Sequence, residues 1–190
     1  RANVRGSTGY GQAFRHSNHR DWGGLDVQDL LTGVDAVMAR GVADPQRLGI
    51  CGWSFGGYLT AATLTQSGRF RAAVIGAGMV DLVGYALGHD SPDFLPAHFG
   101  GEVWEVADLL LERSPIAHAE RVNTPTLILH GEHDQRVPTW QGVEWHNALK
   151  RRGIPTQMVI YPRSGHVPSE PNLLLDVMER ILAWMEKYTT

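Results

Sequence analysis

Gly52-Trp53-Ser54-Phe55-Gly56-Gly57 stands between an apolar run, Arg47-Leu48-Gly49-Ile50-Cys51, and a run of mostly small residues, Tyr58-Leu59-Thr60-Ala61-Ala62-Thr63-Leu64. The first run reads as a strand and the second as a helix. In the order strand, G-x-S-x-G, helix, the motif forms a nucleophile elbow, a turn so sharp that its serine is held in a strained backbone conformation. Gly52 and Gly56 are expected to give that turn room, and Gly57 to let the helix lie close to the strand. The helix N-terminus then aims free N–H groups at any negative charge that forms beside Ser54.

Outward from the elbow, strand and helix signals alternate. Upstream, Leu30, Leu31, Val34, Val37 and Met38 fall on one face of a helix that starts at Leu25 and ends near Gly41. Before it, residues 1–5 read as the tail of a strand, 5–11 as a Gly-rich loop and 21–24 as a turn. The loop lacks the Gly-Lys-Ser/Thr ending of a phosphate-binding loop. Asp44-Pro45 is a turn that launches the elbow strand. Downstream, Ala72-Ala73-Val74-Ile75 and the run from Pro125 to His130 read as buried strands, and the run from Thr156 to Tyr161 as the next strand. Residues 84–101, rich in Gly, Pro and aromatics, read as a long irregular excursion of the kind that lines or covers a site. Helices are expected over 104–111, from Ser114-Pro115 with Ser114 as N-cap, over 139–150 with Val143 and Leu149 inward, and over 173–188. In the last of these, Leu174, Val177, Ile181 and Trp184 share a face. Alternating strands and helices imply an α/β fold: a mostly parallel sheet with helices on both faces. In such sheets, sites form outside the carboxyl ends of the strands.

Ser54, Asp134 and His166 each follow a separate strand at that edge. A serine hydroxyl attacks well only when a base takes its proton. Histidine suits the task because its charge changes near neutrality, and a carboxylate behind it fixes the ring's tautomer. The order Ser, Asp, His is that of the α/β-hydrolases. Among nine histidines, His166 alone sits in a tight Gly-containing loop after the last strand. Structural roles are assigned to His16, His19, His89, His98, His118 and His146. Asp81, which also follows a strand, and Glu132 are rival acids. His130 and His133 beside Asp134 raise the question of a metal, but no H-E-x-x-H spacing or second cysteine supports one. No metal and no cofactor is expected.

The bulk properties set bounds. The 190 residues, 43% hydrophobic and 19% charged, suffice for one domain with a real core. A net charge of −3 points away from nucleic acid and anionic membranes as partners. No signal peptide and no bilayer-length apolar run is visible, and a cytoplasmic location is the expectation. The one cysteine, Cys51, forms no internal disulfide and is expected to be a small buried residue.

Several stretches, taken in order, resemble the catalytic domain of the prolyl oligopeptidase family of serine peptidases. They are Arg5-Gly6-Ser7-Thr8-Gly9-Tyr10-Gly11; Asp21-Trp22-Gly23-Gly24 with Asp26 and Asp29; and Gly52-Trp53-Ser54-Phe55-Gly56-Gly57-Tyr58. Further on come Ser114-Pro115-Ile116; His130-Gly131-Glu132 with Asp134; Arg136-Val137-Pro138; and Gly165-His166. Within the family the chain looks most similar to the acylaminoacyl-peptidase and dipeptidyl-peptidase branches. The resemblance implies an α/β-hydrolase fold with Ser54 as nucleophile, His166 as base and Asp134 as acid. It also implies an oxyanion hole with one donor from the backbone N–H of Phe55, and an apolar substrate pocket walled by Val137, Met79, Val80 and Phe94. Its expected substrates are short peptides or acyl esters.

The family's upstream H-G-G-P-type segment is absent, and so is the N-terminal β-propeller that many members carry. Residues 1–190 are therefore read as a single peptidase catalytic domain lacking the N-terminal strands. On that reading the elbow strand becomes a sheet edge, covered by a missing N-terminal segment or by a homo-oligomeric partner. A carboxylesterase with the same three residues, and a non-catalytic binding or assembly module, are the competing readings.

Overall fold

The computed structural model describes residues 2–190. In chain order the elements are α1 (Gln12–His16), α2 (Leu25–Ala39), β1 (Gly49–Trp53), α3 (Phe55–Gln66), β2 (Ala72–Gly76), α4 (Leu82–Tyr85), α5 (Phe94–Phe99) and α6 (Val103–Glu112). A 3₁₀ helix (Pro115–Arg121), β3 (Thr126–Gly131), α7 (Trp140–Arg151), β4 (Thr156–Tyr161) and α8 (Pro171–Thr189) complete the fold. The strands form one sheet in the order β1-β2-β3-β4, and every neighbouring pair is parallel. Parallel neighbours need a crossover, and α3, the 77–125 segment and α7 supply the three.

Strand alternation divides the core between the two faces. On one, Ile50, Ala73, Ile75 and Ile128 pack with Ala61 and Leu64 of α3 and with Trp145 and Leu149 of α7. On the other, Ala72, Val74, Leu127 and Leu129 pack with Val177 and Trp184 of α8. β2 and β3 are buried along their whole length, which is why they read as continuous apolar runs. A third cluster surrounds Trp22 with Val27, Tyr58, Leu95, Phe99 and Leu110, joining α2 and α3 to the 82–112 segment. Among the described residues no helix is long and apolar enough to cross a membrane.

Several sequence expectations need correction. The strand tail expected over 1–5 does not form across residues 2–5; Arg1 lies outside the described residues. Among the described residues no strand lies beside the outer edge of β1 to pair with it. Val4 instead enters the Trp22 cluster, and Arg5 makes a 2.6 Å ion pair with Asp29. The elbow strand runs to Trp53 rather than stopping at Cys51, because pairing with β2 continues through Trp53 and Gly76. Cys51 is exposed, not buried: β1 is the edge strand, and α8 lies over β2 and β3. The 84–101 excursion takes in the end of α4, which starts at Leu82, and all of α5. The Asp81 carboxylate accepts from the N–H groups of Val83 and Gly84 to start α4, and Gly100, at φ 71°, ends α5.

Ser114 precedes the 3₁₀ helix with Pro115 first, as expected, but its hydroxyl does not cap it. Ser114 Oγ donates to the Leu110 carbonyl at 2.7 Å and accepts from the Leu82 N–H at 2.8 Å, tying α6 to α4. Val37, Val143 and Leu174 are exposed. The rest of each expected face does pack inward: Leu30, Leu31, Val34 and Met38 in α2, Leu149 in α7, and Val177, Ile181 and Trp184 in α8, joined by Gln141 and Trp145 in α7 and by Leu173 in α8.

Asp26, in the first turn of α2, is fully buried. One carboxylate oxygen accepts from the Val27 N–H at 2.8 Å, and the other has no hydrogen-bond partner among the described residues. Burial pushes this carboxyl up to about 7. Between about pH 4 and that value the unfolded chain has released the proton while the folded chain keeps it. Stability therefore falls as pH rises through this window, by about 4 kcal/mol at most. Asp26→Asn is expected to remove that slope: its urea midpoint should match the wild type near pH 4 and exceed it at pH 8. A difference that did not change with pH would contradict the assignment.

Candidate active site

The β1–α3 junction places Ser54 at φ 59° and ψ −122°, a left-handed conformation that a serine adopts only under strain. The surrounding bonds hold it there. Ser54 N–H donates to the Gly76 carbonyl at 2.8 Å, and its own carbonyl accepts from Tyr58 N–H at 3.0 Å. A Cβ at Gly52 would overlap the Gly56 carbonyl oxygen, so a bare backbone is required there. At Gly57 a Cβ would lie 2.7 Å from the Gly76 oxygen and 2.8 Å from Gly78 Cα, which shows how closely α3 approaches β2. Gly56 departs from expectation, because a Cβ there would meet open space. Phe55 opens α3, and its N–H is one of the four that no intrahelical carbonyl can take.

His166 comes from the loop after β4. Its carbonyl accepts from Trp53 Nε1 at 2.8 Å, which fixes the loop against the end of β1. That loop is also zipped to the one after β3, with Glu132 N–H donating to Tyr161 and His133 N–H to Ser164. The two loops bring Asp134 to His166. The Asp134 side chain is fully buried, and one of its oxygens accepts from the backbone N–H groups of Arg136 at 3.0 Å and Val137 at 2.9 Å. The other oxygen lies 2.8 Å from His166 Nδ1. Burial alone would raise this carboxyl. Hydrogen bonds from His130, His166 and Val137 outweigh burial and hold it well below the usual carboxylate range. An ionised carboxylate only accepts, so His166 carries its proton on Nδ1. Its Nε2 lone pair then faces Ser54 Oγ at 2.8 Å, placed to accept a hydrogen bond from the hydroxyl.

The structure thus joins Ser54, His166 and Asp134 in one hydrogen-bonded series at the carboxyl edge of the sheet. The rival acids are engaged elsewhere. Asp81 caps α4, and Glu132 Oε2 accepts from Arg163 N–H. His133 faces Glu132 rather than Asp134. Among the described residues no group of three or more His, Cys, Asp or Glu side chains is arranged to hold a metal. Of the residues expected to wall a pocket, Met79, Val137 and Phe94 lie in the same apolar cluster as Phe55. Phe94 and Phe55 each pack against Trp22, at 5.5 and 4.9 Å between ring centroids. Val80 belongs to the neighbouring cluster, and its N–H donates to Gln141 Oε1 at 2.6 Å.

Sequence reasoning missed three supporting residues: Trp53, whose indole holds the His166 loop; Gln141, whose amide holds residues 80 and 81; and His130, buried against Asp134. Only His130 carried a usable signal, a histidine at the end of an otherwise apolar strand four residues before the acid.

The profile of the prolyl oligopeptidase family matches residues 1–190. An uncharacterised peptidase, YuxL, of Bacillus subtilis is 34% identical over 98% of this chain and 29% of its own length. The acylamino-acid-releasing enzyme of Rattus norvegicus is 32% identical over 98% of this chain and 26% of its own. Among solved structures, a puromycin-hydrolysing peptidase of Mycobacterium tuberculosis superposes with a TM-score of 0.94 at 33% identity, covering 98% of this chain and 29% of that one. The Pyrococcus horikoshii acylaminoacyl peptidase superposes with a TM-score of 0.92 at 27% identity, over 98% and 32% respectively. The chain therefore spans between a quarter and a third of the length of these relatives.

Proposed function

The chain belongs to the prolyl oligopeptidase family, and on that footing we propose that it is the catalytic unit of a serine peptidase. Its substrates are short peptides or acylaminoacyl compounds, cleaved through an acyl-enzyme on Ser54. The observation that carries this reading is the series Ser54 Oγ, His166 Nε2, His166 Nδ1 and Asp134 Oδ2, with 2.8 Å at each hydrogen bond.

In the proposed reaction Ser54 Oγ attacks the scissile carbonyl as its proton passes to His166 Nε2, and Asp134 stabilises the resulting imidazolium. The oxyanion forms beside the free Phe55 N–H at the start of α3. His166 then gives the proton to the leaving nitrogen as the C–N bond breaks, which leaves an ester on Ser54. A water molecule, deprotonated by His166, attacks that ester; His166 then returns the proton to Ser54 Oγ as the C–O bond breaks and the acid leaves. Met79, Val137 and Phe94 would form the apolar wall for the acyl side, with Val80 behind them. The test compares an acyl-aminoacyl amide with a short acyl ester of the same acid. Turnover of both, with a burst of product from the ester, is the expected result. Ester turnover with no cleavage of the amide would favour the carboxylesterase reading.

The outer edge of β1, unpaired among the described residues, presents free N–H and C=O groups. We propose that a further strand, of the same polypeptide or of a second copy, covers it in the working protein and brings a second oxyanion donor. Lacking one donor, residues 1–190 alone should be slower by about 10²–10³-fold than the same site with the edge covered. Light scattering on these 190 residues should also show association. A monomer whose peptidase rate did not rise when the edge was covered would contradict this.

A further inference from the structure

We propose that His130 is a positioning residue for the acid, an inference that rests on the function proposed above. His130, next to last in β3, is fully buried. Its Nε2 lies 2.7 Å from the Val137 carbonyl oxygen and 3.4 Å from Asp134 Oδ2. Both are acceptors, so Nε2 carries the proton and faces both. The Val137 N–H in turn donates to Asp134 Oδ1 at 2.9 Å. One ring N–H therefore pins the far end of the Asp134–Val137 turn and faces the oxygen that holds His166. The two Asp134 oxygens are thereby set from opposite sides: Oδ1 by the backbone of the turn, Oδ2 between His166 and His130.

The other ring nitrogen shows that this arrangement has a cost. His130 Nδ1 is buried without a hydrogen-bond partner among the described residues, and α7 lies so close that a Cβ on Gly142 would come within 2.7 Å of it. A buried nitrogen without a protein partner is unfavourable, and an apolar side chain of the same size would avoid it. What the apolar side chain cannot do is donate from the Nε2 position. The burial of Asp134 adds to the need, because a carboxylate out of water relies on the donors around it.

The test uses two variants. His130→Gln can place an amide N–H near the Nε2 position; His130→Met has similar reach and no donor. The first readout is the proton resonance of the His166 Nδ1–H···Asp134 bond, assigned by its loss in His166→Ala. The second is kcat against KM. His130→Met should shift or lose the resonance and lower kcat by about 10- to 100-fold, the range spanned by a lost buried hydrogen bond, with KM nearly unchanged. His130→Gln should restore both. A His130→Met protein with the wild-type resonance and kcat would overturn the assignment, as would a His130→Gln protein no better than His130→Met. The resonance needs no substrate. A wild type with no turnover whose resonance still responds to His130→Met would refute the proposed function and uphold the positioning role.

Discussion

Ser54→Ala is expected to lower turnover by about 10⁶-fold, because a nucleophile that acts as a unit with its base leaves little activity when removed. The fold should survive the change. Ser54 makes no side-chain cap to α3, and its hydroxyl is bonded to His166. The strained φ of 59° is set by the backbone bonds of Ser54 to Gly76 and Tyr58, which an alanine keeps. Thermal midpoints of the two proteins should therefore agree within a few degrees while activity collapses. A loss of less than about 100-fold would leave the enzyme without need of this hydroxyl.

Asp134→Asn is expected to cost about 10⁴-fold in kcat, by a different route. The carboxamide oxygen can keep the Arg136 and Val137 N–H bonds, so the turn stays in place. Its NH₂ then faces His166 Nδ1 and donates to it. That forces the His166 proton onto Nε2, where it points at Ser54 and cannot accept the hydroxyl proton. Asp81→Asn is the matched control. An asparagine caps α4 as well as an aspartate does, so that variant should keep nearly full activity. If it proved the more damaging of the two, the acid would be misassigned.

The parts of this molecule legible in the sequence were those set by local chemistry. The G-x-S-x-G turn, the continuous apolar runs of β2 and β3, and the loops carrying Asp134 and His166 each announce themselves through residues close in the chain. The order of strands then brings them together. What stayed hidden depends on partners far away in sequence. Cys51 sits in an apolar run, yet is exposed because its strand is an edge, a property of the sheet rather than of the run. Val143 and Leu174 fit the same helical faces as Leu149 and as Val177, Ile181 and Trp184, which do pack inward, but they are exposed, and Trp145 and Leu173 meet the sheet instead. The 84–101 stretch looked irregular because α4 and α5 are too short for a periodicity to show. α4 is fixed by the Asp81 carboxylate and by the Ser114 hydroxyl, 32 residues away from Leu82. Trp53, which holds the His166 loop from 113 residues upstream, gave no local sign of that role.

The central claim is that Ser54 is the activated nucleophile of this protein. Treating it with a fluorophosphonate and mapping the adduct by peptide mass spectrometry tests that claim most directly. A single adduct on Ser54, lost when His166 is changed to alanine, is the result expected. Absence of an adduct, or one on another serine, would contradict it.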